Sequence, residues 1–276
     1  MTYFGFLLRF LVPPIIVLAL LVYRDRRAGR AMPPGLRGRA PLIVLAAHVL
    51  VALIYTTPWD NYLVATGVWW YNPELVTGVT IGWVPIEEYT FFILQPIMTG
   101  LLLIWLAPRL APPSAAVRPD RALRLGVTLT LGILWAAMVV MLVIGWRPGT
   151  YLALILAWAL PPIMLQTGFG ADTLWHHRRL VLSTLALAIG YLAIADAVAI
   201  NAGTWTISPE QTVGVLLGGI LPLEELVFFI ITNVLLTFGM TLVMAVESQR
   251  RVVGLRLPGI GSIAGHTSLE GTEGGQ

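Results

Sequence analysis

Apolar residues along this chain fall into seven long runs, near 3–23, 41–57, 79–106, 124–145, 150–168, 180–200 and 212–246. A helix needs ~20 predominantly apolar residues to cross a bilayer. The second and fifth runs sit near that minimum, and the third and seventh exceed it. The polar residues between the runs are sorted by side. The loop 24–40 holds Arg24, Arg26, Arg27, Arg30, Arg37 and Arg39, and the segment after the third run holds Arg109, Arg118, Arg121 and Arg124. Arg178 and Arg179 follow the fifth run, and Arg250, Arg251 and Arg256 follow the seventh. The alternate loops 58–78 and 201–211 have no lysine or arginine, and the fourth loop has Arg147 alone. Basic residues collect on the cytoplasmic side. The pattern therefore predicts an all-α, seven-helix protein of the cell membrane, with its N-terminus outside and its C-terminus in the cytoplasm.

Composition supports the bilayer as solvent. Hydrophobic residues make up 57% of the 276, charged residues only 11%, and the mean hydropathy is +0.82. Soluble domains carry roughly 25% charged residues. A net charge of +3 could suit nucleic acid, but the arginines lie in short loops between spans, so no nucleic-acid partner is expected. The absence of cysteine excludes disulfides, thiolate metal sites and cysteine nucleophiles. The first run lacks a basic leader and a small-residue cleavage site, so it is expected to stay as a helix.

Self-comparison shows a repeat. Asp60, Gly67, Trp69, Pro73 and Glu74 recur 136 positions later as Asp196, Gly203, Trp205, Pro209 and Glu210. After one inserted residue, Pro85-Ile86-Glu87-Glu88 recurs as Pro222-Leu223-Glu224-Glu225, and Phe91-Phe92 as Phe228-Phe229. Pro13-Pro14-Ile15 has a looser echo in Pro161-Pro162-Ile163. Spans one to three thus match spans five to seven. Both units begin on an odd-numbered crossing, which makes the repeats parallel. The expected organisation is a first three-helix unit over 1–107, a linker helix region over 108–148, a second unit over 149–247, and a disordered cytoplasmic tail over 248–276.

The repeat concentrates acids. Both Pro-x-Glu-Glu motifs are expected a few residues into the third helix of their unit, with Asp60 and Asp196 at the same side. A charged carboxylate at the bilayer centre costs roughly 2.5–3.5 kcal/mol on insertion scales and is usually functional or paired. A pair that shares a proton supplies an acid and a base in one place. Glu87, Glu88, Glu224 and Glu225 are therefore the catalytic candidates, with Asp60 and Asp196 in support. Glutamate in a first helical turn is also favoured by the helix dipole, and proline starts helices well, so helix-start chemistry is the competing account. Phe91, Phe92, Phe228 and Phe229 follow on the glutamate faces and suit cation stabilisation or plain packing. Gln95 and Asn233 either line the same cavity or bond between helices. Trp69, Trp70, Trp83 and Trp205 are expected in an interfacial belt, and His48 is expected to be structural. His176 and His177 make no convincing metal site. No dinucleotide or Walker motif appears.

On its two Pro-x-Glu-Glu motifs and two three-helix units, the chain resembles the membrane-integral lycopene cyclases of the heterodimer type, in a fused form. Those enzymes occur as two small three-helix subunits or as one chain, and the fungal version is fused to phytoene synthase. The resemblance covers nearly all of spans one to seven. It implies acid/base isomerisation of linear carotene ends into rings, without net redox change, and with neither flavin nor another cofactor. It also implies a lipophilic carotene substrate taken from the bilayer, and other enzymes of carotenoid biosynthesis as partners. Related enzymes cyclise C50 carotenoids. A proton-coupled transporter and a non-catalytic carotenoid-binding protein are the alternatives from other classes.

Overall fold

The computed structural model describes residues 1–112 and 116–254. Among these, seven helices are long and apolar enough to cross a membrane, and the chain is a multi-pass membrane protein. Helices α1 (Tyr3–Phe10) and α2 (Val12–Arg27) make the first crossing. They part at Leu11, where Pro13 and Pro14 remove backbone donors from the next turn. The second and third crossings are α3 (Pro41–Ala65) and α4 (Ile86–Leu110). Helix α5 (Arg121–Ile144) is the fourth. Helices α6 (Thr150–His176), α7 (Arg178–Asn201) and α8 (Leu223–Met244) complete the set. A short helix, α9 (Val246–Gly254), turns off the end of α8. Residues 248–254, expected in a disordered tail, are thus helical, and 255–276 lie outside the described residues.

Helices α4 and α8 face each other at the centre. Helices α2 and α3 flank α4, while α6 and α7 flank α8. Helix α3 also touches α8, and α7 touches α4. Close approach depends on glycine: a Cβ on Gly100 would run into Leu45 and Met240, and one on Gly239 into His48. Helix α5 packs chiefly on α6. Only 6% of its membrane window is buried, against 67% for α4.

The third and seventh apolar runs are not helical from their starts. Residues 79–85 and 212–222 instead form lead-in segments, pairing β2 (Thr80–Ile81) with β3 (Val84–Pro85) and β5 (Leu216–Leu217) with β6 (Leu221–Pro222). The backbone turns before each pair at Gly78 and Gly214, both at φ +77, a conformation glycine adopts without strain. A third pairing joins the loops of the two units. Strand β1 (Trp69–Tyr71) runs antiparallel to β4 (Trp205–Ile207), with Trp69 opposite Ile207, Trp70 opposite Thr206 and Tyr71 opposite Trp205. All three pairings cluster at the end of the bundle where α4 and α8 begin.

The opposite end is tied by ion pairs. Asp25 binds Arg109 and Arg30, and Asp172 binds Arg251 and Arg124.

Candidate active site

Pro85 and Pro222 cap the starts of α4 and α8, in extended conformation with ψ 152 and 141. The glutamates therefore stand in the first helical turn rather than a few residues in. Successive helix residues diverge by ~100°, and the two glutamates of each motif do different things. Glu87 Oε1 accepts the Thr77 backbone N–H at 2.6 Å, and Glu224 Oε1 accepts that of Val213 at 2.7 Å. Both are buried; Glu87 ties the helix start to the residue just ahead of the Gly78 turn, and Glu224 to its own lead-in segment.

Glu88 and Glu225 turn inward. They open onto one cavity of ≈ 40 Å³ between the two units, walled by Phe6, Trp69, Trp205, Phe91, Phe228 and Phe229. Tyr3 donates to Glu88 Oε2 at 2.5 Å and Tyr71 donates to the same oxygen at 3.0 Å, while Tyr151 donates to Glu225 Oε1 at 2.7 Å. The phenols are anchored in turn. The Tyr3 backbone N–H donates to Leu75 O at 2.8 Å, and that of Tyr151 to Gln211 O at 3.0 Å. Burial pushes the Tyr71 phenol well above its ordinary pKa, and the nearby Asp60 and Glu88 carboxyls add to the effect, so Tyr71 remains a donor.

Asp196 lines the cavity and accepts from Trp205 Nε1 at 3.1 Å. Asp60 is buried beside it, and neither of its oxygens has a hydrogen-bond partner. Among the described residues, no ion pair involves Asp60, Asp196 or the four motif glutamates, in contrast to Asp25 and Asp172 at the other end. Trp59 stacks on Phe228 at 5.9 Å and 4°, and on Trp158 at 4.4 Å. Phe92 lies further from the acids, in a neighbouring groove. Asn233 does not line the cavity. It joins α8 to α4, accepting from Thr99 at 2.6 Å and Gln95 at 3.0 Å.

One expectation changes: Trp69 and Trp205 are not belt residues but cavity walls, whereas Trp70 and Trp83 are exposed. The motifs in the sequence do not single out the phenols Tyr3, Tyr71 and Tyr151. Tyr3 and Tyr151 are separated by 148 positions, the spacing of Pro13 and Pro161, so the weak echo of the first span already contained them. Tyr71 has no such signal, because its counterpart is Ile207.

This is a multi-pass helical membrane protein with two phenol-bound carboxyls facing a single aromatic cavity. The lycopene cyclase family matches residues 7–106 and 148–245. The chain belongs to that family, among enzymes that form carotenoid rings. The matched segments leave out the stretch that contains α5. Lycopene beta-cyclase of Halobacterium salinarum is 36% identical over 246 residues, covering 87% of this chain and 95% of that protein. The bifunctional lycopene cyclase/phytoene synthase of Podospora anserina is 34% identical over 208 residues, covering 73% of this chain and 35% of that one. Its namesake in Leptosphaeria maculans is 34% identical over 253 residues, with 84% and 39% covered. No solved structure matches the chain.

Proposed function

We propose that this protein closes the ends of lycopene, drawn from the bilayer, into β rings at the cavity shared by Glu88 and Glu225. The observation that carries the proposal is the convergence of one glutamate from each motif on a single aromatic, ion-pair-free cavity. An acid adds its proton to the terminal double bond. The cation closes onto the neighbouring double bond, forming the ring C–C bond. A base removes a proton from the adjacent carbon, whose C–H electrons become the ring double bond. The proton count balances, and no electron acceptor is required. Two charge-assisted phenolic bonds hold an anion better than one, so Glu88 is assigned as the base and Glu225 as the acid. The aromatic walls stabilise the cation and keep water from trapping it. Glu87 and Glu224 position the site through the loop bonds they make.

The same proposal treats the chain as a fused form of the heterodimeric cyclases. The units are related by a two-fold axis along the membrane normal, passing near Trp70 and Thr206. The distribution of arginines supports a site at the outer side, an outside N-terminus and a cytoplasmic C-terminus. A reporter fused at Gly35 is expected to read cytoplasmic.

The test is expression in cells that accumulate lycopene, followed by chromatography of the carotenes. Monocyclic and bicyclic β-carotenes are expected. Unchanged lycopene, with the protein verified in the membrane, overturns the proposal.

A further inference from the structure

The acid cavity is too small to hold more than a fragment of a carotene, and the rest of a long polyene must lie elsewhere. Two cavity walls, Phe91 and Phe228, are also walls of a groove of ≈ 250 Å³ between α3 and α6. This groove passes Val51 and Thr56 of α3 and Trp158 and Gln166 of α6. At His48 and Gln166 it meets a second hollow, which ends at Ser248 and Val252 of α9. From Phe228 to Val243 along α8 is 15 residues, about 22 Å of rise. The path therefore covers most of a ~30 Å hydrocarbon core.

Several polar atoms along it are turned back on the protein, while Trp158 Nε1, Gln166 Oε1 and Ser248 Oγ are buried without a partner among the described residues. His48 Nδ1 lies 2.8 Å from Val44 O, Gln166 Nε2 donates to Leu235 O at 2.9 Å, and Thr232 donates to Phe228 O at 2.8 Å. What remains is an elongated apolar trough that shares the Phe91 and Phe228 walls with the acid cavity. The corresponding face of the other unit is chemically different: Leu192, 1% exposed, stands there in place of Thr56, and Leu18, 9% exposed, in place of Gln166.

We propose that the α3/α6 groove is the binding site for the polyene body of the linear carotene, with one end group passing between Phe91 and Phe228 to reach Glu88 and Glu225. This rests on the cyclase proposal for the identity of the reaction. With the polyene held on the α3/α6 face alone, one end is handled per binding event. A second ring requires release of the monocyclic carotene and its return in the opposite sense.

The chain has no cysteine, so Val51→Cys and Leu187→Cys each accept a single fluorophore. Val51 lines the groove, and Leu187 is its counterpart on the other unit's face; both are exposed. In liposomes, lycopene is expected to quench the label at position 51 at concentrations that leave position 187 nearly unchanged. Equal quenching overturns the groove whatever the turnover. Selective quenching without any ring formation keeps the groove and overturns the cyclase proposal instead. With the unlabelled wild type, isotopically labelled lycopene is then chased early with excess unlabelled lycopene. Labelled bicyclic product is expected to fall as labelled monocyclic carotene is stranded. Labelled bicyclic yield that ignores the chase overturns the one-end mode.

Discussion

The two units share a plan yet treat their glutamates differently. In the first, Tyr3 and Tyr71 both donate to one oxygen of Glu88, and Trp69 donates to the Tyr71 hydroxyl at 3.1 Å. In the second, Tyr151 alone donates to Glu225, Ile207 takes the place of Tyr71, and the Trp205 indole is left free to bind Asp196. One exchange, tyrosine for isoleucine, redirects an indole and changes which aspartate is satisfied. The two units thus hold two unlike carboxyls in one cavity, and unlike carboxyls are what a step needing both an acid and a base requires.

The largest test of this comparison separates the units. Residues 1–110 or 116–276 expressed alone are expected to form no rings, because each supplies one glutamate and half of the walls. Co-expression is expected to restore measurable cyclisation in lycopene-producing cells. Next come Glu88→Gln and Glu225→Gln, each expected to lower turnover by about 10²–10⁴-fold, the usual contribution of a positioned acid or base. Membrane levels of the protein should be unchanged on immunoblot.

The phenols sharpen the asymmetry. Tyr151→Phe removes the sole phenolic donor to Glu225. At ~1.5–3 kcal/mol for a hydrogen bond to a charged group, turnover should fall about tenfold or more. Tyr3→Phe leaves Tyr71 on Glu88 and should cost less, and the Tyr3→Phe/Tyr71→Phe pair should cost more than either alone. Initial rates in liposomes decide the order. The smallest effect is expected at Glu87→Gln and Glu224→Gln. The amide keeps a carbonyl oxygen for the loop N–H, so turnover should stay within a few-fold of wild type. Glu87→Ala should instead lower thermal stability in detergent by roughly 0.5–2 kcal/mol, as for a lost helix cap. A Glu87→Gln variant as inactive as Glu88→Gln would erase the division of labour within each motif.

The seven crossings were legible because apolar length is what a bilayer selects. The starts of the third and seventh helices are not legible from hydropathy because their lead-in segments are apolar as well. Ile81, Trp83, Val215 and Leu216 are exposed at the end of the bundle, where apolar residues face lipid rather than a core. Gly78, Gly82, Gly214 and Gly218, all at positive φ, are the signal that these runs are not helix. For the site, the motif and its aspartates were legible, but the facing of each glutamate was not. That depends on where the helix begins, and a one-residue shift turns a side chain by ~100°. The phenols come from a distant first crossing and a loop, so only the fold brings them to the acids.

The strand pair β1–β4 carries a consequence for the proposed fusion of the two units. Each residue in it faces the counterpart of its mirror position, with Trp70 opposite Thr206 at the centre. On the proposed two-fold relation, this is a register that survives exchanging the partners. A single three-helix ancestor could therefore have made the same strand pair with a second copy of itself, closing a site of two identical corners. Such a homodimer could not hold a tyrosine in one corner and an isoleucine in the other, nor place Thr56 and Gln166 on one flank and Leu192 and Leu18 on its twin. On the proposed fusion, duplication removed that constraint. The lipid-bathed α5 then needed only to carry the chain back across the membrane, so that two diverging copies kept a common orientation.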